Sequence, residues 1–188
     1  MKSEESKVNG GRHPEGSVVI RPWERVDLED VRRITWETWL ATYAGFIPIE
    51  DLRTYFDEHY SLPALQELAG RENVSGIVAV VEGVVAGYLK TQAAREEGRF
   101  YVSSVYVLPG HQGKRLGTRL MQEAEALARR AGFDRIWLGV MVQNLGALEW
   151  YRKTGFQFVE EAPFTMGKTT VNHLIGYRVL PPSVLPPS

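Results

Sequence analysis

The chain of 188 residues contains no cysteine. That excludes a disulfide scaffold, a thiolate nucleophile and a cysteine-ligated zinc site together. It also lacks any apolar run approaching the roughly 18 residues that a membrane-spanning helix needs. An excess of charge of one sign is missing too: 22 Lys and Arg stand against 23 Asp and Glu, for a formal net charge of -1. A nucleic-acid footprint would need a clustered basic excess. The polar opening, Met1 to Gly16, has no apolar core of the kind a signal peptide carries. The expectation is a cytoplasmic protein with neither membrane nor nucleic acid as partner.

What is present fits one globular domain, with 44% hydrophobic and 24% charged residues. Residues 1–16 read as a leader and 181–188 as a Pro-rich tail, leaving 17–180 as the domain. Ser17 to Arg21 is a β-branched run, a first strand. Asp27, or alternatively Asp30, opens a helix that presents Val31, Ile34, Thr35 and Thr38 on one face and runs to about Tyr43. Pro48 starts a second helix, and Pro63 to Ala69 continues in helical composition. Strands come next at Val74 to Val81 and Val84 to Ala93, joined by a Glu82-Gly83 turn. Arg99 to Val107 is a third strand of this group. Leu116 to Ala131 is an amphipathic helix, Ile136 to Val140 a strand, and Asn144 to Thr154 a helix capped by Asn144. Phe156 to Phe164 and Val171 to Val179 end the domain as strands. Hairpins together with strand–helix–strand crossovers argue an α/β fold with a mixed sheet.

Two segments carry chemistry. The first is the strand-to-helix loop Gln112-Gly113-Lys114-Arg115-Leu116-Gly117-Thr118. Successive backbone amides at a helix N-terminus form an anion site, and Lys114 and Arg115 add positive charge. A two-glycine loop is equally often a plain tight connection. The second segment runs from Asn144 to Phe156. Asn144 and Tyr151 lie seven residues apart, on one helical face. Taken singly they read as an N-cap and a core aromatic.

Together the segments resemble the GCN5-related N-acetyltransferase (GNAT) family. That family pairs a Gln/Arg-x-x-Gly-x-Gly/Ala loop with a downstream Asn…Ala…aromatic-Tyr…Gly-Phe helix. Gln112 to Gly117 match the first motif; Asn144, Ala147, Trp150-Tyr151 and Gly155-Phe156 match the second. The likeness covers residues 77 to 179. The stretch from Phe164 to Gly167 onward looks like the branch with polyamine acetyltransferases. Arg115 stands where the family's first glycine would be.

The resemblance implies a single-domain fold with a mixed, splayed sheet and helices on both faces. It implies acetyl-CoA as co-substrate, a small-molecule or peptide amine as acceptor, and homodimers as in many relatives. Val105, Tyr106 and Val107 would pair with the pantetheine arm. The amides of Gln112, Gly113, Lys114, Arg115, Leu116, Gly117 and Thr118 would hold the pyrophosphate. Asn144 would contact the pantetheine. Tyr151 would sit by the thioester sulfur as the acid for the leaving thiolate. No metal is implied.

No general base is assigned. The strand Arg99–Val107 has Ser103 and Ser104 where many relatives carry a glutamate. Glu37 reads first as a solvated helix face, and His111 as an exposed loop residue. His173 is a further candidate. Glu37, Glu50, Asp51, Asp57 and Glu58 would suit a polycation if they lined a pocket. Trp36, Trp39 and Tyr43 read as core or pocket lining, against a sticky interaction surface. Ala162 to Thr169 matches the loose form of a phosphate-binding P-loop, but no helix pattern succeeds it, so Gly167-Lys168 is read as a hairpin turn. The competing function is a non-catalytic acyl-CoA sensor of the same fold.

Overall fold

The computed structural model describes residues 17–181. The expected leader lies outside them, as does the tail beyond Pro181. The elements run β1 (Val18–Pro22), α1 (Leu28–Tyr43), α2 (Ile49–His59), α3 (Leu62–Ala69), β2 (Val74–Val81), β3 (Val84–Ala94) and β4 (Arg99–Val107). Then come α4 (Leu116–Arg130), β5 (Arg135–Met141), α5 (Leu145–Lys153), β6 (Gln157–Met166) and β7 (Thr169–Val179). Seven strands form one mixed sheet in the order β1-β2-β3-β4-β5-β7-β6.

Each face of the sheet has its own core. The spacing of Val31, Ile34 and Thr35 turns one stripe of α1 inward, where all three are fully buried. Thr35 makes that polar position tolerable by donating to the Val31 carbonyl at 2.7 Å and meeting the Tyr88 hydroxyl at 2.6 Å. Leu52, Phe56 and Leu65 bring α2 and α3 into the same cluster. On the opposite face Leu120, Met121, Ala124 and Ala128 of α4 pack with Leu148 and Tyr151 of α5 against β4 and β5. The expected α/β architecture with helices on both faces holds.

Three local readings are refined. Asp27 occupies the N-cap position of α1, as expected, and Asp30 does not. Asp27 makes no side-chain cap bond to that helix; its carboxylate accepts from both Arg21 guanidinium nitrogens, at 2.6 and 2.8 Å, and from the Glu24 amide at 2.7 Å. A bidentate guanidinium is a stronger partner than a helix amide. Asp30 lies inside α1 and pairs with Arg33 at 2.7 Å. The third helix starts at Leu62, with the Ser61 hydroxyl accepting from the Ala64 amide.

The P-loop-like segment is a hairpin turn between β6 and β7. The Lys168 amide and Thr169 hydroxyl hold an anion there, the Asp51 carboxylate of α2, at 2.9 and 2.6 Å. Gly167 is required because a Cβ at that position would lie 2.6 Å from the Asp51 Cα.

The Arg21–Asp27 pair generates a stability prediction. The Arg21 hydrogen bonds hold the Asp27 carboxyl below its ordinary pKa, against the opposing effect of burial. A lowered folded-state pKa gives stabilisation that is complete above the unfolded value, about 3.9, and is lost as pH falls through the folded one. Asp27→Asn should cost about 2 kcal/mol at pH 7 by leaving a guanidinium with a poorer partner. Urea denaturation at stepped pH should show the gap between wild type and variant closing below about pH 4.

Candidate functional site

The site begins where the sheet fails to close. β4 and β5 are parallel neighbours, yet they pair at one position only, Tyr101 with Trp137. Beyond it the strands diverge toward their C-terminal ends. A bulge helps: Lys90 of β3 faces Ser104 and Thr91 faces Val102, leaving Ser103 as the extra residue. A bulge bends its strand and re-aims the side chains beyond it. Before it, Phe100 and Val102 join the α4 core; after it, Val105 and Val107 do so, while Tyr106 packs on the α1 side.

The wedge between the strands is a cavity of about 640 Å³. Its walls combine Val105, Tyr106 and Val107 of β4, the loop leading into α4, Leu138 to Val140 of β5, and Asn144 with Tyr151. Of the loop residues expected there, Gln112, Gly113, Arg115, Leu116, Gly117 and Thr118 reach the wall. Lys114 is exposed and is not part of it. The sequence reading missed Thr42; α1 brings it across from the other face together with Thr38 and with Tyr43, which was read as core or pocket lining. The inward stripe of α1 already contained Thr38; nothing in its spacing told core from cavity.

The loop end of the wedge suits an anion. No side chain caps α4, and its first turn contains no acidic residue. The leading amides of that helix are therefore free to receive a ligand's charge. Arg115, the cap residue, has φ +60° and ψ +15°. This left-handed conformation explains a glycine preference there, because a side chain in it costs roughly 1–2 kcal/mol. The Gln112 side chain braces the loop by donating to the Val107 carbonyl at 3.2 Å.

The middle of the wedge is hydroxyl-rich. Asn144 caps α5 as expected, accepting from the Ala147 amide at 3.2 Å. Tyr151 is buried, its ring 5.3 Å from that of Phe156. Burial, and then the proximity of Tyr43, push its phenol well above the ordinary tyrosine value. It is protonated at neutral pH. Burial likewise raises Tyr43, with Tyr106 and Asn144 acting in the opposite sense.

Among the described residues no Asp or Glu lines the cavity. Glu37 is half exposed beside Arg33, and Asp51 is held by the β6–β7 turn. The wall is nonetheless polar. Thr38 Oγ1 and His111 Nδ1 are enclosed on it with no hydrogen-bond partner in the protein. A ligand rich in amide and phosphate groups satisfies such atoms. His111 is thus half buried on the wall, not an exposed loop residue. Trp39 and Tyr43 are core residues rather than surface.

Known proteins resemble this chain in sequence and fold. The sequence model described as the acetyltransferase (GNAT) family matches residues 28–156. Streptothricin acetyltransferase of Streptomyces lavendulae is 35% identical over 77 residues, which make up 41% of either chain, so this match spans less than half of that relative. Spermidine N(1)-acetyltransferase of Thermoplasma acidophilum is 26% identical over 145 residues, 75% of this chain and 89% of that one. The crystal structure of the PaiA N-acetyltransferase of Thermoplasma acidophilum in complex with coenzyme A superposes with a TM-score of 0.75 at 23% identity, covering 87% of this chain and 99% of the other. A sheet splayed between β4 and β5, an uncapped α4 opening on the gap, and a matching sequence model over most of the described chain make this protein a member of the acetyltransferase (GNAT) family.

Proposed function

We propose that the wedge binds acetyl-CoA through α4's leading amides and the free edges of β4 and β5, and that a primary amine attacks the thioester directly within a ternary complex. The enzyme is an acetyl-CoA-dependent N-acetyltransferase, as its family membership states. The observation that carries the finer reading is the wedge itself, which runs from an uncapped helix N-terminus past a buried, protonated tyrosine.

In this reading the residues divide the work. The amides of Gln112, Gly113 and Arg115 to Thr118 face the pyrophosphate, with Arg115 adding charge at the loop. Val105 to Val107 and Asn144 hold the pantetheine arm extended, which fixes the acetyl carbon for attack. Tyr151 donates a hydrogen bond to the departing sulfur. Its raised pKa exceeds that of a thiol, about 8.5. It therefore stabilises the thiolate as a donor rather than by giving up its proton. The acceptor enters from the α1 side, past Thr38, Thr42 and Tyr43. The named relatives act on spermidine and streptothricin, both amine-bearing. With no carboxylate on the wall, a polycation gains no ion pair inside the wedge. A cytoplasmic protein, acting on a small-molecule or peptide amine and assembling as a homodimer, completes the proposal.

Two measurements test it. Release of free CoA from acetyl-CoA should appear with at least one class in a panel of polyamines, amino acids, aminoglycosides and short peptides, with an acetylated product by mass. Tyr151→Phe should then lower kcat by about 100-fold with little change in the KM for acetyl-CoA. Binding of acetyl-CoA without release by any amine would instead favour the sensor.

Arg115 separates backbone from charge. Arg115→Gly should raise thermal stability by relieving the left-handed strain, whereas Arg115→Ala should not. Both should raise the KM for acetyl-CoA, and by similar factors if the guanidinium meets a phosphate.

A further inference from the structure

Resting on that reading, we infer that His173 of β7 is the general base that takes a proton from the acceptor's ammonium group. Direct attack needs a free lone pair on the amine nitrogen, and a primary ammonium with a pKa near that of lysine, about 10.4, has none at neutral pH. The usual source, a carboxylate on the wall, is missing among the described residues.

The ring of His173 is held in a defined orientation. Its Nδ1 lies 2.8 Å from the Ala162 carbonyl of β6. A carbonyl only accepts, so Nδ1 carries the hydrogen and the lone pair of the neutral imidazole is on Nε2. The opposite edge of the ring lies over Gly139 of β5, where a Cβ would come 2.6 Å from Cδ2 and 3.2 Å from Nε2. Gly139 is exposed and forms part of the wedge wall. The imidazole thus spans from β6 to β5, with its basic nitrogen against Gly139 of the wall and the ring itself just outside the lining of the wedge. Only a glycine at 139 leaves room for it. Phe164 steadies the ring edge-on at 5.6 Å.

The serines are committed elsewhere. Ser103 Oγ donates to the Lys90 carbonyl at 3.2 Å, and Ser104 meets the Tyr60 hydroxyl at 3.2 Å. His111 sits in the loop leading into α4, at the anion end of the wedge. Around His173, β5 presents Gly139 and Met141, and β6 presents Ala162 and Phe164. Beyond Phe164 lie Tyr55 and, tilted against it at 4.1 Å, His59 beside Glu58. Glu161 accepts from Asn172 on the other face of β7.

The step balances. Nε2 accepts one proton from the ammonium, and the freed lone pair forms the C–N bond to the acetyl carbon. The C–S bond breaks with its electron pair leaving on sulfur. The surplus proton on nitrogen ends on the thiol, and the imidazolium returns its proton to water.

The test compares wild type, His173→Gln, His173→Phe and Gly139→Ala. Acetyl-CoA affinity is read by calorimetry, and turnover is tracked over a pH range with an amine that the wild type acetylates. The expected result is kcat/KM for the amine down about 100-fold in both His173 variants. Affinity for acetyl-CoA should be unchanged, and the acid limb of the wild-type profile lost. Gly139→Ala, which displaces the ring while keeping it, should fall in the same direction. Variants that bind acetyl-CoA and turn over within about threefold of wild type, with the acid limb intact, overturn the role of His173 and leave the acetyltransferase reading standing. A wild type that binds no acetyl-CoA or acetylates no amine overturns both.

Discussion

A single backbone pairing, Tyr101 with Trp137, is the only place where β4 and β5 join, and the functional half of the molecule depends on it. One pair is too little to hold two strands, so side chains reinforce it. The Arg99 guanidinium stacks on Trp137 at 4.0 Å while its Nη2 pairs with Glu160 of β6 at 2.6 Å. Trp137 packs on Tyr177 of β7 at 4.9 Å, and Arg135 covers Tyr177 at 5.0 Å. Cation–π contacts of this kind contribute about 0.5–1 kcal/mol each at exposed sites. The closed end is clamped by side chains so that the other end can stay open.

Opening the strands leaves backbone donors and acceptors on their facing edges. Such groups are costly to bury without partners. The wedge resolves this by remaining accessible, and an extended ligand that offers its own amides can replace the missing strand. The helix beneath obeys the same logic, since α4 has no side-chain cap at its start. Unsatisfied polarity is thereby concentrated along one line, from the sheet edges to the helix end, instead of being scattered through the core.

The sequence displayed much of this and concealed the rest for identifiable reasons. Periodicity placed Val74–Val81 and Arg99–Val107 at their observed bounds, because long runs of one period leave little ambiguity. Asn144 and Gly155 marked their helix from both ends. Asp27 marked the start of α1, but the capture of its carboxylate by Arg21 of another element had no local signal. The bulge at Ser103 left no signal, since a serine pair reads the same in a regular strand. Lys114 stays off the cavity wall although the residues on either side of it reach that wall, which depends on loop dihedrals that composition does not report. The contribution of α1 to the wedge, through Thr38, Thr42 and Tyr43, is tertiary and has no local signature. The left-handed Arg115 occupies a conformation that glycine adopts without strain.

The turn at Gly167, Lys168 and Thr169 has a ligand of its own. The Asp51 carboxylate occupies it and is attached to the same chain, so it never diffuses away. A free phosphate competing for that amide and hydroxyl faces a rival whose effective concentration is set by tethering rather than by supply. A segment that reads as a nucleotide cradle is, in the folded protein, self-saturated, and its affinity for anions is spent on holding α2 to the last hairpin.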